Sequence, residues 1–364
     1  MRIAVYAPLT LPFSPRHVAR RPLGGSETAL YHLTRELAAC GAAVTVINRC
    51  GADEGIYDEV HYMDFQRGEW RRRLQEEPPD VLIIFRQITD VLKPLPGRTR
   101  ILWAHDHLGA YPEREGILGT FVARAWQWIG KPLFLPRLHV VATVSHWLAQ
   151  AFHDYLGVPW DRILVTRNGL ELSHFRDLQE MRNPFRLIYT SVPERGLDLL
   201  LDKIFPAIRS RVPEAELHVF SYRNLEQYRR KQREGVIIRG GLPQHLLARE
   251  LAQSAVFVYP TDFPETSCIA ALEAQAAGTP VVTSKRYALQ ETVLDGRTGI
   301  LIEGKVGSEG YIRAFVEAVV GLLRDPSLRE RMGRQARERV LERYGWDQIA
   351  REWWEFLHAV VGRQ

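Results

Sequence analysis

The chain has 364 residues, of which 46% are hydrophobic and 25% are charged, and its formal net charge is +5. This length is more than one ordinary hydrophobic core contains, so we expect a globular protein of two domains. The sequence has no run of about 20 apolar residues, and no nucleic-acid-binding motif accompanies its basic excess. Both observations argue against a membrane span and against a nucleic-acid partner.

The start of the chain and its cysteines indicate the compartment. Residues 1–6 are already typical of a strand, so we expect no signal peptide. Cys40, Cys50 and Cys268 show neither paired nor metal-type spacing, which suits a reducing environment. We therefore predict a cytoplasmic protein, whose positive charge fits an anionic nucleotide, an anionic lipid surface or simply arginine-rich helix faces.

The first predicted element is a buried strand over residues 2–6, and a proline-rich loop follows it. Gly24, Gly25, Ser26 and Glu27 then open a helix that ends near residue 40. A strand, a glycine loop and a helix in this order begin a Rossmann-like unit. Because the full dinucleotide fingerprint is absent, the glycines are equally compatible with a plain turn into a helix.

Further strands are predicted over residues 44–48, 81–85 and 101–104. His105 and Asp106 follow the last of them directly. Open α/β sheets bind ligands at the carboxyl ends of parallel strands, which gives His105 a functional interpretation. The alternative is a structural histidine, and the sequence favours neither.

Residues 117–137 interleave aromatic side chains such as Trp126 and Trp128 with cations such as Arg124 and Lys131. This pattern is typical of a helix in a membrane interface. It is also typical of a core helix with a basic outer face, which is the interpretation we favour.

The same alternation of strands and helices continues into a second half, after a polar linker at residues 172–185. Before the linker, strands are predicted over residues 140–144 and 162–166, and a helix is predicted after Ser145. After the linker, strands are predicted over residues 185–190 and 216–220, and a helix from Gly196 to about residue 211. Arg195 precedes the second of these helices, where its planar guanidinium could bind phosphate or cap the helix.

The stretch from Tyr259 to Val282 is predicted to be a strand end, a loop, a small-residue helix and a strand. Thr266 or Ser267 is the expected N-cap of the helix. Glu265 lies just before the helix and Glu273 lies about two turns inside it, roughly 12 Å away at helical rise. In the alternative interpretation, both carboxylates have a structural role only: they cap an ordinary helix or face solvent.

The last part of the chain is predicted to form three helices over residues 307–323, 326–344 and 346–361. The final helix places Trp353, Phe356, Leu357 and Val360 on one face, which suits packing against a domain surface.

The block PETSCIAALEAQAAGTPVV resembles the Glu-x7-Glu signature of the retaining glycosyltransferases of family 4. GGSE, the V-S-H-W helix start and the Asn168-Gly169 turn are similar to other motifs of that family. The resemblance implies the α/β GT-B fold, with two Rossmann-like, doubly wound domains facing a cleft and a C-terminal helix that crosses back. It assigns residues 1–171, with helix 346–364, to an acceptor domain and residues 185–345 to a nucleotide-sugar domain.

The resemblance also implies roles for individual residues. Glu265 would hold the hydroxyls of the donor sugar, Glu273 the ribose diol, and His105 would lie near the sugar. The other implied donor-binding residues are Gly24, Gly25, Glu27, Arg195, Gly240, Gly241, Thr266, Ser267, Cys268 and Ile269. Glu265, His105 and Arg195 are the residues to which it implies a catalytic role.

The chain departs from the family pattern in two loops. Relatives carry an arginine and a lysine where this chain has Thr190 and Arg195, so Arg195 is left to compensate the charge of the leaving diphosphate. Residues 285–289, KRYAL, replace a glycine-rich loop.

The implied function is transfer of a hexose with retention of anomeric configuration. The donor would be a UDP-sugar, with GDP-mannose as second candidate, and the acceptor a glycan, a lipid-linked or another cell-envelope molecule. No D-x-D pair occurs, so we expect neither a metal nor a cofactor, and contact with the inner membrane surface would be peripheral. The alternatives are a catalytically silent sugar-nucleotide-binding protein, a phosphorylase and a sugar-nucleotide epimerase.

Overall fold

The computed structural model describes residues 1–18, 23–106, 128, 131–221, 226–230 and 233–362. The chain divides into two compact units. The first comprises residues 1–18, 24–169 and the segment from residue 346, and the second comprises residues 170–345. None of the described helices combines the length and the apolar character that are needed to cross a bilayer.

The described strands fall into two sheets. They are β1 (Arg2–Tyr6), β2 (Ala43–Asn48), β3 (Gly55–Tyr57), β4 (Val60–Asp64), β5 (Val81–Phe85), β6 (Thr99–Ala104), β7 (Val140–Thr143), β8 (Ile163–Val165), β9 (Arg186–Thr190), β10 (Glu216–Phe220), β11 (Val236–Ile238), β12 (Val256–Tyr259), β13 (Val281–Ser284) and β14 (Gly299–Ile302).

The described helices connect these strands or follow them. They are α1 (Pro15–Val18), α2 (Gly25–Ala39), α3 (Glu69–Glu76), α4 (Lys131–Phe134), α5 (His146–Leu156), α6 (Ser173–Arg176), α7 (Leu197–Leu199), a π-helical turn (Leu200–Ile204), α8 (Phe205–Arg209), α9 (Glu226–Arg229), α10 (Gln244–Ala252), α11 (Ile269–Ala276), α12 (Leu289–Thr292), α13 (Glu309–Arg324), α14 (Pro326–Arg343) and α15 (Trp346–Val361).

The sheet of the first unit has the strand order β3-β4-β2-β1-β5-β6-β7-β8. Its described pairs are parallel except β3 with β4. Strand β5 is a continuous apolar run whose five residues are all buried, as expected for a strand covered on both faces. Strand β1 lies between β2 and β5, so the strand order reverses there, and the crevice at such a reversal is where open α/β sheets bind ligands.

The sheet of the second unit has the order β11-β10-β9-β12-β13-β14 and is parallel throughout its described pairs. Its first strand, β9, lies between β10 and β12. The reversal of strand order therefore falls between β9 and β12, so the loops after these two strands are the expected place for a ligand in this unit.

The terminal helix α15 belongs to the first unit, where it packs on α2. Trp353 and Leu357 are fully buried, as predicted, and the indole of Trp353 donates to Thr166 Oγ1 at 2.9 Å. Phe356 and Val360 are only half-buried, so two of the four residues predicted for the buried face lie at its edge. The buried stripe begins instead at Trp346, and it follows the helical repeat of three and four residues.

Residues 49–80 contain elements that the sequence analysis did not predict. Strand β3 is only three residues long and exposes Ile56, while α3 has Trp70 and Leu74 as its buried residues. Such short elements carry too few apolar positions to show a period. The helix predicted over residues 117–137 lies largely outside the described residues.

Candidate functional site

Two loops leave the second sheet where its strand order reverses, one after β9 and one after β12. Gly196 lies in the first loop with φ +102°, and a Cβ there would lie 2.2 Å from the carbonyl oxygen of Pro260 in the second. A side chain at residue 196 would therefore force the loops apart. Only glycine allows both this conformation and this close approach.

Glu265 and Arg195 meet across these two loops. Glu265 Oε1 accepts a hydrogen bond from Arg195 Nη1 at 2.9 Å and another from the Tyr259 hydroxyl at 2.5 Å. Glu265 is buried, whereas the side chain of Arg195 is 31% exposed and its guanidinium carbon lies 4.0 Å from the centroid of the Phe263 ring. The structure thus brings together two of the residues that the sequence singled out, although they are 70 positions apart.

The charges of this pair follow from burial and attraction. Burial raises the pKa of Glu265, and the Arg195 charge and the Tyr259 hydrogen bond offset part of that rise. Burial works against the charge of Arg195, but the combined attraction of Glu265, Tyr259 and Cys268 outweighs it, so the pKa of Arg195 is raised. Arg195 therefore keeps its positive charge and can face an anion.

Two buried polar atoms at this end of β9 have no hydrogen-bond partner within the part of the chain that the structure describes. They are Thr190 Oγ1 and Arg195 Nε, and Thr190 is 7% exposed. Because buried polar atoms in proteins are nearly always hydrogen-bonded, a bound polar group is the simplest source of the missing partners.

Helix α11 begins at Ile269, with Cys268 at its N-cap position and no side-chain capping bond. The predicted N-cap at Thr266 or Ser267 was therefore wrong. The chain stays non-helical there because the preceding loop is held by its own bonds, Glu265 N–H to Phe263 O and Ala288 N–H to Glu265 O. The first-turn N–H groups of the helix, which have no intrahelical acceptor, thus start at Ile269.

Glu273 lies inside α11 and is 8% exposed. Its Oε1 accepts a 2.7 Å hydrogen bond from the side-chain amide of Gln244, the first residue of α10. Burial raises the pKa of Glu273 to about 7, although the Gln244 bond works in the opposite direction. Gln244 was not among the residues predicted from the sequence, and its place directly after the Gly-Gly-Leu-Pro loop is the signal that could have identified it.

We predict that Glu273→Gln changes how stability depends on pH. Glu273 titrates at about 7 in the folded chain and near 4.5 when unfolded, so the native state binds this proton more tightly. Its contribution to the free energy of unfolding is fully present below pH 4.5 and is lost as pH rises through 7. The shift (7 − 4.5 = 2.5 units) corresponds to about 3 kcal/mol.

Urea denaturation at several pH values measures this effect. Between pH 4.5 and 8, wild type should lose about 3 kcal/mol relative to Glu273→Gln. The exposed Glu330→Gln serves as the matched control and should follow wild type. Parallel profiles for wild type and Glu273→Gln would contradict the buried, protonated state of this carboxyl.

Gly240 and Gly241 lie after β11 and are exposed. A Cβ at Gly240 would meet open space, so packing does not require glycine there. Their implied role in donor binding stays a prediction.

The KRYAL loop lies against the Glu265 loop through the Ala288–Glu265 backbone bond. Arg286 forms an ion pair of 2.8 Å with Asp262, and Lys285 forms one of 2.6 Å with Glu303. Tyr287 has φ +51°, a left-handed conformation that is uncommon for a bulky residue. The loop therefore keeps a glycine-like backbone at Tyr287 but presents large side chains.

In the first unit, Glu27 lies in the first turn of α2 and is 3% exposed. It accepts a hydrogen bond from the Leu11 N–H at 3.0 Å. A Cβ on Gly24 would lie 2.4 Å from Glu27 Oε2, so glycine at residue 24 makes room for this carboxylate. Gly25 is the exposed first residue of the helix.

Arg86 is a candidate that the sequence analysis missed. It follows β5 with φ +67° and binds Asp106 through two bonds of 2.7 and 3.0 Å, while its Nη1 lies 3.8 Å from Glu27. This places an arginine and two carboxylates beside the strand reversal of the first sheet. The signal was available in the sequence as a charged residue directly after a fully buried strand.

His105 is buried and packs against Phe85 and Trp103, with ring centroids 4.8 and 4.6 Å apart. Burial lowers its pKa to about 3, with Asp106 acting in the opposite direction. The imidazole is therefore neutral near pH 7 and can take part in hydrogen bonds but not as a cation.

Within the described ranges, no group of three or more His, Cys, Asp or Glu side chains is arranged to hold a metal ion.

Two family models match the chain. Residues 23–174 match Glycosyltransferase Family 4, and residues 185–325 match Glycosyl transferases group 1. The first match contains Gly24, Glu27 and His105, and the second contains Arg195, Glu265 and Glu273.

Curated relatives include a D-inositol 3-phosphate glycosyltransferase of Arthrobacter sp. (strain FB24), 25% identical over 93% of this chain and 90% of its own length. Alpha-maltose-1-phosphate synthase of Mycolicibacterium smegmatis is 37% identical over 35% of the chain, but the match spans only 33% of that enzyme. A GDP-mannose-dependent alpha-(1-6)-phosphatidylinositol monomannoside mannosyltransferase of the same species is 32% identical, over 43% of the chain and 42% of its own length.

Solved structures share the fold at low identity. Sucrose-phosphate synthase from Thermosynechococcus elongatus matches over the whole of both chains with a TM-score of 0.78 and 17% identity. Anabaena HepE, solved in complex with UDP-glucose, matches 99% of this chain and 100% of its own with a TM-score of 0.70 and 15% identity.

Proposed function

The chain belongs to glycosyltransferase family 4 and has the GT-B fold, and from this premise we propose that it transfers a hexose from a nucleotide-diphosphate sugar with retention of configuration. The observation that carries the proposal is the Arg195–Glu265 ion pair at the strand reversal of the second sheet, with Glu273 eight positions further on. A cation for phosphate and two buried acids for hydroxyl groups are what a sugar nucleotide requires.

A UDP-sugar is the donor that we propose first. Anabaena HepE, which shares the fold, was solved with UDP and with UDP-glucose. GDP-mannose is the second candidate because a relative is GDP-mannose-dependent. We assign the sugar hydroxyls to Glu265, the ribose diol to Glu273, and the diphosphate to Arg195 and the first-turn N–H groups of α11.

The proposed mechanism uses no protein nucleophile. A retaining hydrolase that forms a glycosyl-enzyme needs two close carboxylates beside the scissile bond, whereas Glu265 is tied to Arg195 and Tyr259. Instead, the bond from the anomeric carbon to the diphosphate oxygen breaks and a bond to the acceptor oxygen forms on the same face. The acceptor proton passes to the leaving phosphate oxygen, and Arg195 stabilises the developing negative charge.

The acceptor that we propose is a hydroxyl of a glycan or of a lipid-linked molecule. Relatives act, by name, on D-inositol 3-phosphate and on a phosphatidylinositol monomannoside, which are both polyhydroxylated. We propose a cytoplasmic reaction, with peripheral contact at the inner membrane surface when the acceptor is lipid-linked.

A catalytically silent sugar-nucleotide-binding protein is the second candidate. It is favoured by Thr190, which stands where the family pattern that the sequence resembles has an arginine, because Arg195 is then left to serve both Glu265 and the diphosphate. Release of free nucleoside diphosphate on addition of acceptor separates the two, because a silent protein binds the donor without releasing it.

Thermal unfolding with UDP-glucose, GDP-mannose and ADP-glucose tests the proposal. A donor at 100 times its Kd adds about 2.7 kcal/mol to the free energy of unfolding, so one of the three should raise the Tm by several degrees. Glu273→Gln is the comparison variant, and the same donor should raise its Tm by less than that of wild type. No stabilisation by any of the three would overturn the proposed donor class.

A further inference from the structure

Four side chains form a continuous hydrogen-bonded network across the two loops of the second unit. The Ser191 hydroxyl lies 3.3 Å from the Tyr259 hydroxyl, which in turn lies 2.5 Å from Glu265 Oε1. Arg195 bonds the same carboxylate oxygen at 2.9 Å. Tyr259 therefore joins the loop after β9 to the carboxylate proposed to bind the donor sugar.

Glu265 has its two oxygens in unequal surroundings. Both Tyr259 and Arg195 bond to Oε1, and no bond from either of them goes to Oε2. A carboxylate with one oxygen held twice cannot rotate freely about its last bond, because rotation would break both bonds. Oε2 is thus kept in one place, where it can accept hydrogen bonds from a ligand.

The Tyr259 ring is held as firmly as its hydroxyl. It is fully buried, and its centroid lies 5.8 Å from the Tyr189 ring and 5.9 Å from the Phe257 ring. The other titratable groups around it are Arg195, Cys268 and Glu265. Burial raises the pKa of Tyr259 well above its usual value. The hydroxyl therefore stays protonated and donates a hydrogen bond to Glu265.

We propose that Tyr259 is a positioning residue that fixes Glu265 so that Oε2 meets the hydroxyls of the donor sugar, and that this contact distinguishes a sugar nucleotide from the free nucleotide. The inference rests on the proposed function. It goes beyond it because Tyr259 acts through Glu265, to which its buried hydroxyl is bonded, and not as one of the residues assigned to the donor. The sequence gives Tyr259 only as the last residue of a buried strand.

Tyr259→Phe removes the hydroxyl and keeps the ring. We expect the affinity for UDP-glucose to fall about 10- to 100-fold, which is the range for a hydrogen bond to a charged group, while the affinity for UDP stays within twofold. Isothermal titration of the whole chain with both ligands measures this. GDP-mannose and GDP replace them if wild type prefers guanine.

Tyr189→Phe is the matched control. Tyr189 is equally buried and its ring neighbours that of Tyr259, but its hydroxyl donates to the backbone oxygen of Val192. Because the Tyr189 hydroxyl also interacts with Ser191, we expect this variant to keep its UDP affinity and to lose UDP-glucose affinity by no more than Ser191→Ala does. Ser191→Ala, at the far end of the network, should lose less affinity for UDP-glucose than Tyr259→Phe does and should keep its affinity for UDP. It tests the network even if Tyr259→Phe folds poorly.

The pH profile gives a second readout that a purely structural role would not move. The Tyr259 bond lowers the pKa of Glu265, so its removal should make UDP-glucose binding disappear at a higher pH on the acidic side. Equal losses for UDP and UDP-glucose, or an unchanged UDP-glucose affinity and pH profile, would overturn the positioning role but leave the proposed function standing. Failure of wild type to bind any sugar nucleotide would overturn both.

Discussion

Glu265→Gln is expected to lower donor turnover about 10²- to 10³-fold, the size of effect seen when one preorganised polar group is removed from an active site. Glutamine keeps the shape of the side chain but removes its charge. The amide offers one acceptor oxygen, whereas the carboxylate holds Arg195 and Tyr259 with one oxygen and leaves the other for the sugar. Release of nucleoside diphosphate in the presence of acceptor glycosides measures the loss.

Glutamine is a better replacement than alanine at this position. Removal of the whole side chain would leave Arg195 without its counter-charge, and breaking a buried ion pair costs a few kcal/mol. That cost is reduced here because Arg195 is 31% exposed. The exposed Glu303→Gln is the matched control and should keep wild-type turnover. Turnover of Glu265→Gln within twofold of wild type would remove this residue from the sugar site.

Arg195→Ala is expected to weaken binding of UDP about 100-fold, the range that follows from losing charge-assisted bonds of about 3 kcal/mol, and to weaken binding of UDP-glucose at least as much, because Arg195 also holds Glu265. The reason is that Arg195 carries the positive charge in the loop after β9, and its Nε is a buried atom without a hydrogen-bond partner in the described part of the chain. Arg195→Lys should recover part of the affinity, because lysine keeps the charge but loses the planar fork and the contact with Phe263. Isothermal titration with each ligand measures both effects.

Arg211→Ala provides the comparison, since Arg211 pairs with Glu317 on an exposed surface and should bind both ligands like wild type. The pattern across ligands separates Arg195 from Glu265. Loss of a phosphate-binding residue weakens UDP as well as UDP-glucose, whereas loss of a sugar-binding residue weakens only UDP-glucose. Unchanged UDP affinity in Arg195→Ala would make Arg195 a helix-capping residue.

The sequence predicted the α/β class and most strands because their apolar runs are continuous. Strand β5 was predicted at its observed bounds, and the family signature placed Glu265 and Glu273 on either side of the start of one helix. Local patterns carry this information, since a buried strand shows itself within about five residues.

What the sequence did not predict are contacts between distant positions. The Arg86–Asp106 pair spans 20 positions and the Arg195–Glu265 pair spans 70, and nothing in the local pattern specifies either partner. The start of α11 was misplaced for the same reason: backbone bonds to a loop more than 20 residues away hold the chain non-helical, against the local preference of Thr266 and Ser267 for an N-cap.

The buried carboxyl of Glu273 has one more consequence for the proposed reaction. A group with a pKa of about 7 is half protonated at neutral pH, whereas a ribose diol is bound best by its ionised form. On the proposed role, capture of the donor then expels about half a proton near neutrality. The donor occupancy of the enzyme would thus rise as the surrounding medium becomes more alkaline.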